Sequence, residues 1–194
     1  MASQPVVPPT GQFPEPVTSE DLLLAFRCSP AIKPYLAEDS TGSVIIDSLI
    51  TNRKIEGAVT INRHTETSSP LSVTISLNGK ILATSSVTFN STGQRISFPL
   101  NAFLPKFESY NVTCSASAAG GQKFQAYTQF QRLPNPASGS VTKMDLQTGA
   151  MLVKNGSELW EPVFSLGFYT NFGGYLASNL SLLDELKDQG YALF

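Results

Sequence analysis

Near residue 160 the chain changes hydrophobic period, and this switch limits its possible folds more than any other feature. Upstream, apolar and polar residues alternate in short runs. From Pro162-Val-Phe-Ser-Leu-Gly-Phe-Tyr169 the sequence is almost continuously apolar, then reads as a helix over residues 176–187 and closes at Gly190. An apolar run feeding a helix is how a parallel α/β sheet opens. A single unit of that kind leaves both edges of its strand without mates. The expected fold class is mainly β, an antiparallel β-sandwich followed by one β/α unit of an incomplete (β/α)8 barrel.

The upstream strands follow from alternation and turn chemistry. The five apolar residues Leu22-Leu-Leu-Ala-Phe26 suit either a buried strand or a short helix capped by Thr18-Ser-Glu-Asp21, and both readings stay open. Pro30 and Pro34 each remove a ladder donor, so residues 31–36 are expected to form an edge or connecting strand. Strands are then expected over residues 44–50 and 55–61. In the next hairpin Leu71, Val73, Ile75 and Leu77 share one face, and Asn78-Gly79 supplies the two positive-φ positions of a type I′ turn. A two-residue loop there sets Ile75 opposite Leu82. Further strands over residues 86–89, 95–100, 109–116 and 123–133 bring the total to about seven or eight, the spacing of an immunoglobulin-like sandwich. Tyr110-Asn-Val-Thr-Cys114 resembles the late strand of that fold, whose Tyr ties a corner through its hydroxyl, although here the Tyr stands four residues before the Cys.

Leu133-Pro-Asn-Pro-Ala-Ser-Gly-Ser140 is the expected boundary, because two prolines and small polar residues neither continue a strand nor fill a core. The expected organisation is an extended leader and opening strand over 1–42, a β-sandwich over 43–133, a linker and hairpin over 134–160, and the β/α unit over 161–194.

Several function classes drop out. A formal charge of −2, with Arg53-Lys54 as the sole adjacent basic pair, does not neutralise a run of phosphates, so no nucleic-acid partner is expected. No run reaches the roughly 18 apolar residues of a membrane span. The single histidine, His64, sits in a polar stretch and is read as a solvated loop residue rather than a proton relay. Two distant cysteines and one histidine do not make a zinc site, so neither metal nor cofactor is expected. Asp184 and Glu185 are adjacent on a helix and point about 100° apart, which prevents them from flanking one glycosidic bond. Glu158 and Glu161 bracket Trp160 at the start of the expected barrel strand, the end that carries stability rather than chemistry. Gly173-Gly174 lacks the Lys-Ser/Thr that completes a phosphate loop.

Cys28 and Cys114 are the only cysteines and are read either as one disulfide or as two buried thiols. Asn90, Asn111, Asn155 and Asn179 each open an N-glycosylation sequon, against about two expected by chance, which points to a secreted parent. The opening Met1-Ala-Ser-Gln-Pro has neither a basic nor an apolar region of export type, so no signal is visible. Along Lys123-Phe-Gln-Ala-Tyr-Thr-Gln-Phe-Gln131, one face is apolar while the other presents amides around Tyr127. Sugars stack on such rings, and the alternative is that Tyr127 packs against a neighbouring domain.

The stretch from Asp145-Leu-Gln-Thr-Gly-Ala-Met-Leu-Val-Lys-Asn-Gly-Ser157 through Trp160-Glu-Pro-Val-Phe-Ser-Leu-Gly-Phe-Tyr-Thr170 resembles secreted, fungal-type glycoside hydrolases in which a β-sandwich precedes a (β/α)8 barrel. The resemblance implies that the catalytic carboxylate pair, about 5 Å apart in retaining enzymes, belongs to later barrel strands. It also implies an extracellular location. Tyr169 or Asn171 would line a sugar subsite, or serve as barrel-mouth packing and a helix cap. The expected function is therefore a non-catalytic N-terminal fragment of a carbohydrate-active hydrolase, with carbohydrate as partner and self-association through the unpaired strand over residues 163–169. The alternative is a self-contained immunoglobulin-like module for carbohydrate binding or adhesion.

Overall fold

The computed structural model describes residues 15–139, 141–154, 159–163, 173–174 and 177–190. The chain is mainly β and divides into two compact units, Met1–Asn135 and Pro136–Phe194. No helix among the described residues is long and apolar enough to cross a membrane.

The first unit opens with β1 (Thr18–Pro30), β2 (Ile32–Lys33), β3 (Tyr35–Leu36), β4 (Thr41–Arg53) and β5 (Ala58–Thr60). It continues through β6 (Leu71–Leu77), β7 (Lys80–Val87), β8 (Ser91–Pro99), β9 (Lys106–Ser117) and β10 (Lys123–Leu133). One sheet has the order β5-β1-β4-β8 and a second the order β3-β10-β9-β6-β7. Their pairings are antiparallel, except that β3 runs parallel to β10. The ambiguous run at residues 22–26 is thus a strand. Leu23, Leu24, Ala25 and Phe26 are all buried, so both faces of β1 are covered there, and a strand covered on both faces needs no alternation. Structured chain begins well upstream of residue 43, since β1 lies inside its sheet between β5 and β4.

One apolar core draws on both sheets, with Leu24, Val44, Ile46 and Phe98 from the first and Val73, Ile75, Val112 and Phe130 from the second. Each such side chain, fully buried, contributes about 1.5–3 kcal/mol. Phe103 and Phe130 meet edge to face at 5.4 Å between ring centroids, and Tyr110 stacks on Phe130 at 5.3 Å. These rings close one end of the core.

The Asn78-Gly79 turn has the expected backbone, with φ of 49° and 80°. The expected register beyond it is corrected by one residue. A bulge lies between Ile75 and Ser76, so Ile75 faces Ala83 rather than Leu82, and Leu71 faces Val87. Without the bulge, Ser86 would oppose Leu71 and Val87 would turn outward. Burial of Val87, which is 2% exposed, accounts for the shift.

Buried Tyr35 in β3 fixes the start of β4: its hydroxyl donates to the Ser43 carbonyl at 2.9 Å and accepts the Ser43 N–H at 2.8 Å. Burial raises its pKa above the ordinary 10.0, against the lowering effect of the Ser43 backbone bond. Above pH 10 the unfolded chain loses this proton while the folded chain keeps it, so unfolding is favoured as pH rises. The stability from Tyr35 is therefore complete below pH 10 and declines as pH climbs towards the raised folded value. Denaturation midpoints measured from pH 9 to 11 should fall less steeply in Tyr35→Phe than in the parent. Equal slopes would remove Tyr35 as the cause.

The second unit contains β11 (Thr142–Asp145), β12 (Met151–Val153), β13 (Glu161–Val163) and α1 (Leu182–Asp188). β12 pairs antiparallel with both β11 and β13. Asp145 closes the β11–β12 connection through Oδ1, which accepts the Gln147 N–H at 2.8 Å. Lys143 Nζ lies 4.1 Å and Lys154 Nζ 5.4 Å from the centre of the Trp160 ring. Of the strand expected over 163–169, Val163 pairs antiparallel with Met151, and residues 164–169 lie outside the described residues. The helix expected over 176–187 is corrected to seven residues, because residues 177–181 form turns in which Asn179 Oδ1 accepts the Ser181 N–H at 3.1 Å.

Candidate functional site

Strand parity divides β10 into an inward set containing Phe124 and Phe130 and an outward set containing Gln125, Tyr127 and Gln129. The same division puts Val112, Cys114 and Ala116 of β9 inward, with Asn111, Thr113 and Ser115 outward. Register then builds rows across the sheet. Tyr127 faces Thr113, which faces Ser76; Gln125 faces Ser115, which faces Thr74; and Gln129 faces Asn111. Every side chain in these rows is a carboxamide, a hydroxyl or the single ring, and none carries a formal charge. Such rows offer hydrogen-bond donors and acceptors together.

Tyr127 is 72% exposed. Its hydroxyl donates to Gln125 Oε1 at 3.2 Å, two residues back on the same face. Tyr127 borders two hollows. One, of about 240 Å³, is bordered by Asn111, Thr113, Thr128 and Gln129. The other, of about 540 Å³, lies at the β1 side of β10 and is bordered by Arg27, Asp47, Glu56 and Gln125. Asp47 Oδ1 accepts the Gly93 N–H at 2.8 Å, so this carboxylate also holds backbone.

The other residues singled out in the sequence fall elsewhere. Cys28 of β1 and Cys114 of β9 form a disulfide with Cα atoms 6.4 Å apart, which resolves the two open readings of this pair. Asn90 lies in the β7–β8 turn with φ of 57°, Asn111 is exposed on β9, and Asn179 is exposed ahead of α1. Tyr169, Asn171 and Asn155 lie outside the described residues. His64 is exposed in a loop, where its carbonyl oxygen would stand 2.9 Å from a Cβ at Gly120. Asp184 and Glu185 are exposed in the first turn of α1. Among the described residues, no group of three or more His, Cys, Asp or Glu side chains could hold a metal ion.

The sequence reading missed Arg27, Asp47 and Glu56 as neighbours of Tyr127, because their approach depends on how the edges of two sheets meet. It also missed that Asn111 borders the Tyr127 ring. A signal for the latter existed in the matching parities of β9 and β10, which allow only every second register across the loop near Gly120. Comparison of the chain with protein-family models, with curated proteins and with solved structures gives no match.

Proposed function

We propose that this chain is a non-catalytic, immunoglobulin-like sandwich module that binds carbohydrate on the outer face of the β10–β9–β6 strands. The observation that carries the reading is an exposed tyrosine ring lying within a field of amides and hydroxyls, with Arg27, Asp47 and Glu56 bordering the hollow on its β1 side. A sugar ring presents C–H bonds on one face and hydroxyls at its rim, and such a field matches both. The immunoglobulin-like assignment is supported by Tyr110, whose hydroxyl donates to the Leu104 carbonyl at 2.6 Å, six residues upstream, as a tyrosine corner does. Further support comes from the disulfide, which links one strand of each sheet. The bond also supports an oxidising, extracellular setting. The resemblance of residues 141–194 to the opening of a glycoside hydrolase barrel makes the module an accessory part of a carbohydrate-active parent, with no catalytic role of its own.

Binding of the purified, unglycosylated chain to an array of neutral oligosaccharides tests the reading. Tyr127→Ala is expected to weaken the best ligand by about 30-fold, the loss that follows truncation of a central aromatic contact. Tyr127→Phe keeps the stacking face and should lose far less. Because the side chain is exposed, thermal melting should not change. Equal binding by Tyr127→Ala, or no binding by the parent chain, would sink the proposal.

A further inference from the structure

We infer that Asn111 is an N-glycosylation site whose first sugar lies over Tyr127, so that the exported chain covers the platform with its own glycan. The inference rests on reading the Tyr127 face as a sugar platform, and it concerns the regulation of that face. Asn111-Val-Thr113 is a sequon lying wholly within β9, and strand parity turns Asn111 and Thr113 outward while Val112 enters the core. Asn111 faces Gln129, so Tyr127 is its diagonal neighbour, within the roughly 7–8 Å that separates such positions. Both residues border one hollow of about 240 Å³.

The Asn111 carboxamide and the Thr113 hydroxyl make no side-chain hydrogen bond among the described residues, so neither must give up a partner to carry the modification. The sequon at Asn179 differs, because Asn179 Oδ1 already accepts both the N–H and the hydroxyl of Ser181, at 3.1 and 2.8 Å. The sequon at Asn90 lies in a turn on the far side of β7, away from any row containing Tyr127.

The donor is an oligosaccharide carried on a lipid diphosphate. The Asn111 side-chain nitrogen forms a bond to the anomeric carbon, and the bond from that carbon to the diphosphate oxygen breaks. The diphosphate leaves with the bonding electrons, and the amide gives up one proton. The sugar so attached extends from β9 across the hollow towards the Tyr127 ring.

The test uses the full chain secreted from a glycosylating eukaryotic cell behind a cleavable export signal, alongside Asn111→Gln and Thr113→Ala. Peptide mass mapping reads the occupancy of Asn111, and nitration by tetranitromethane reads access to Tyr127. The secreted parent should carry glycan at Asn111 and nitrate Tyr127 about tenfold more slowly than either variant, the factor given by a contact of ~1.4 kcal/mol. Two variants that remove the sequon from opposite ends guard against a folding defect in one. An unmodified Asn111 in the exported chain overturns the inference, as does a modified Asn111 with unchanged nitration. Failure of the unglycosylated chain to bind free oligosaccharide would instead overturn only the reading of the platform, because nitration needs no added sugar.

Discussion

Replacing Cys28 and Cys114 together by alanine, or reducing the bond between them, is expected to lower the stability of the first unit by about 4.6 kcal/mol, the chain-entropy value for a loop of this length. The two cysteines are 86 residues apart, and the loop they close holds most of the strands of both sheets. Breaking the bond releases that entire loop in the unfolded chain. In the folded chain Cys114 is fully buried and belongs to the common core, so two alanines also leave a small loss of packing. Domains of this kind have total stabilities of about 5–15 kcal/mol, so the loss is a large share. Urea denaturation with and without reductant measures it directly. A midpoint unmoved by reductant would mean that the unfolded chain stays compact without the bond, and the entropic account would fail.

Arg132→Met should cost about 3 kcal/mol, from the loss of charged hydrogen bonds to backbone. Arg132 is 7% exposed, and its guanidinium ties β10 to two separate loops. Its Nη1 donates to the Phe103 carbonyl, while Nη2 donates to Ala37 at 2.7 Å and to Asp39 at 3.2 Å. Methionine fills much of the volume but offers no donor, leaving the buried part of these carbonyls unpaired. Arg132→Lys should recover little, because a single ammonium cannot span the fork that reaches both loops. Denaturation should register the loss, together with faster amide exchange over residues 36–40. A change below about 1 kcal/mol would show that water replaces the guanidinium at these carbonyls.

The parts of the fold that local chemistry dictates were legible in the sequence. Asn78-Gly79 announces its turn, and the alternation along β10 separates Phe124 from Tyr127 without help from any other strand. Of the expectations that failed, one was decided by packing elsewhere in the hairpin and one by local side-chain bonds. The Ile75–Leu82 pairing followed from the turn alone, yet burial of Val87, further along the partner strand, accompanies a bulge between Ile75 and Ser76. The helix at residues 176–187 followed from periodicity alone, yet Asn179 and Ser181 hold the preceding chain in turns through their own side chains. The exposure of Tyr127 was legible because it depends only on parity, whereas Asn111, Arg27 and Glu56 come beside it through register and sheet-edge geometry. Arg132 shares the inward parity of Phe124 and Phe130, a signal that the sequence reading did not use.

Trp160, the only tryptophan of the chain, belongs to the second unit, with two lysine ammonium groups close to its ring. Emission excited at the red edge of protein absorbance therefore originates from a ring in the second unit, while the tyrosines are not excited there. The molecule thus carries an intrinsic probe for asking whether its two halves melt together or in sequence, without the addition of any dye.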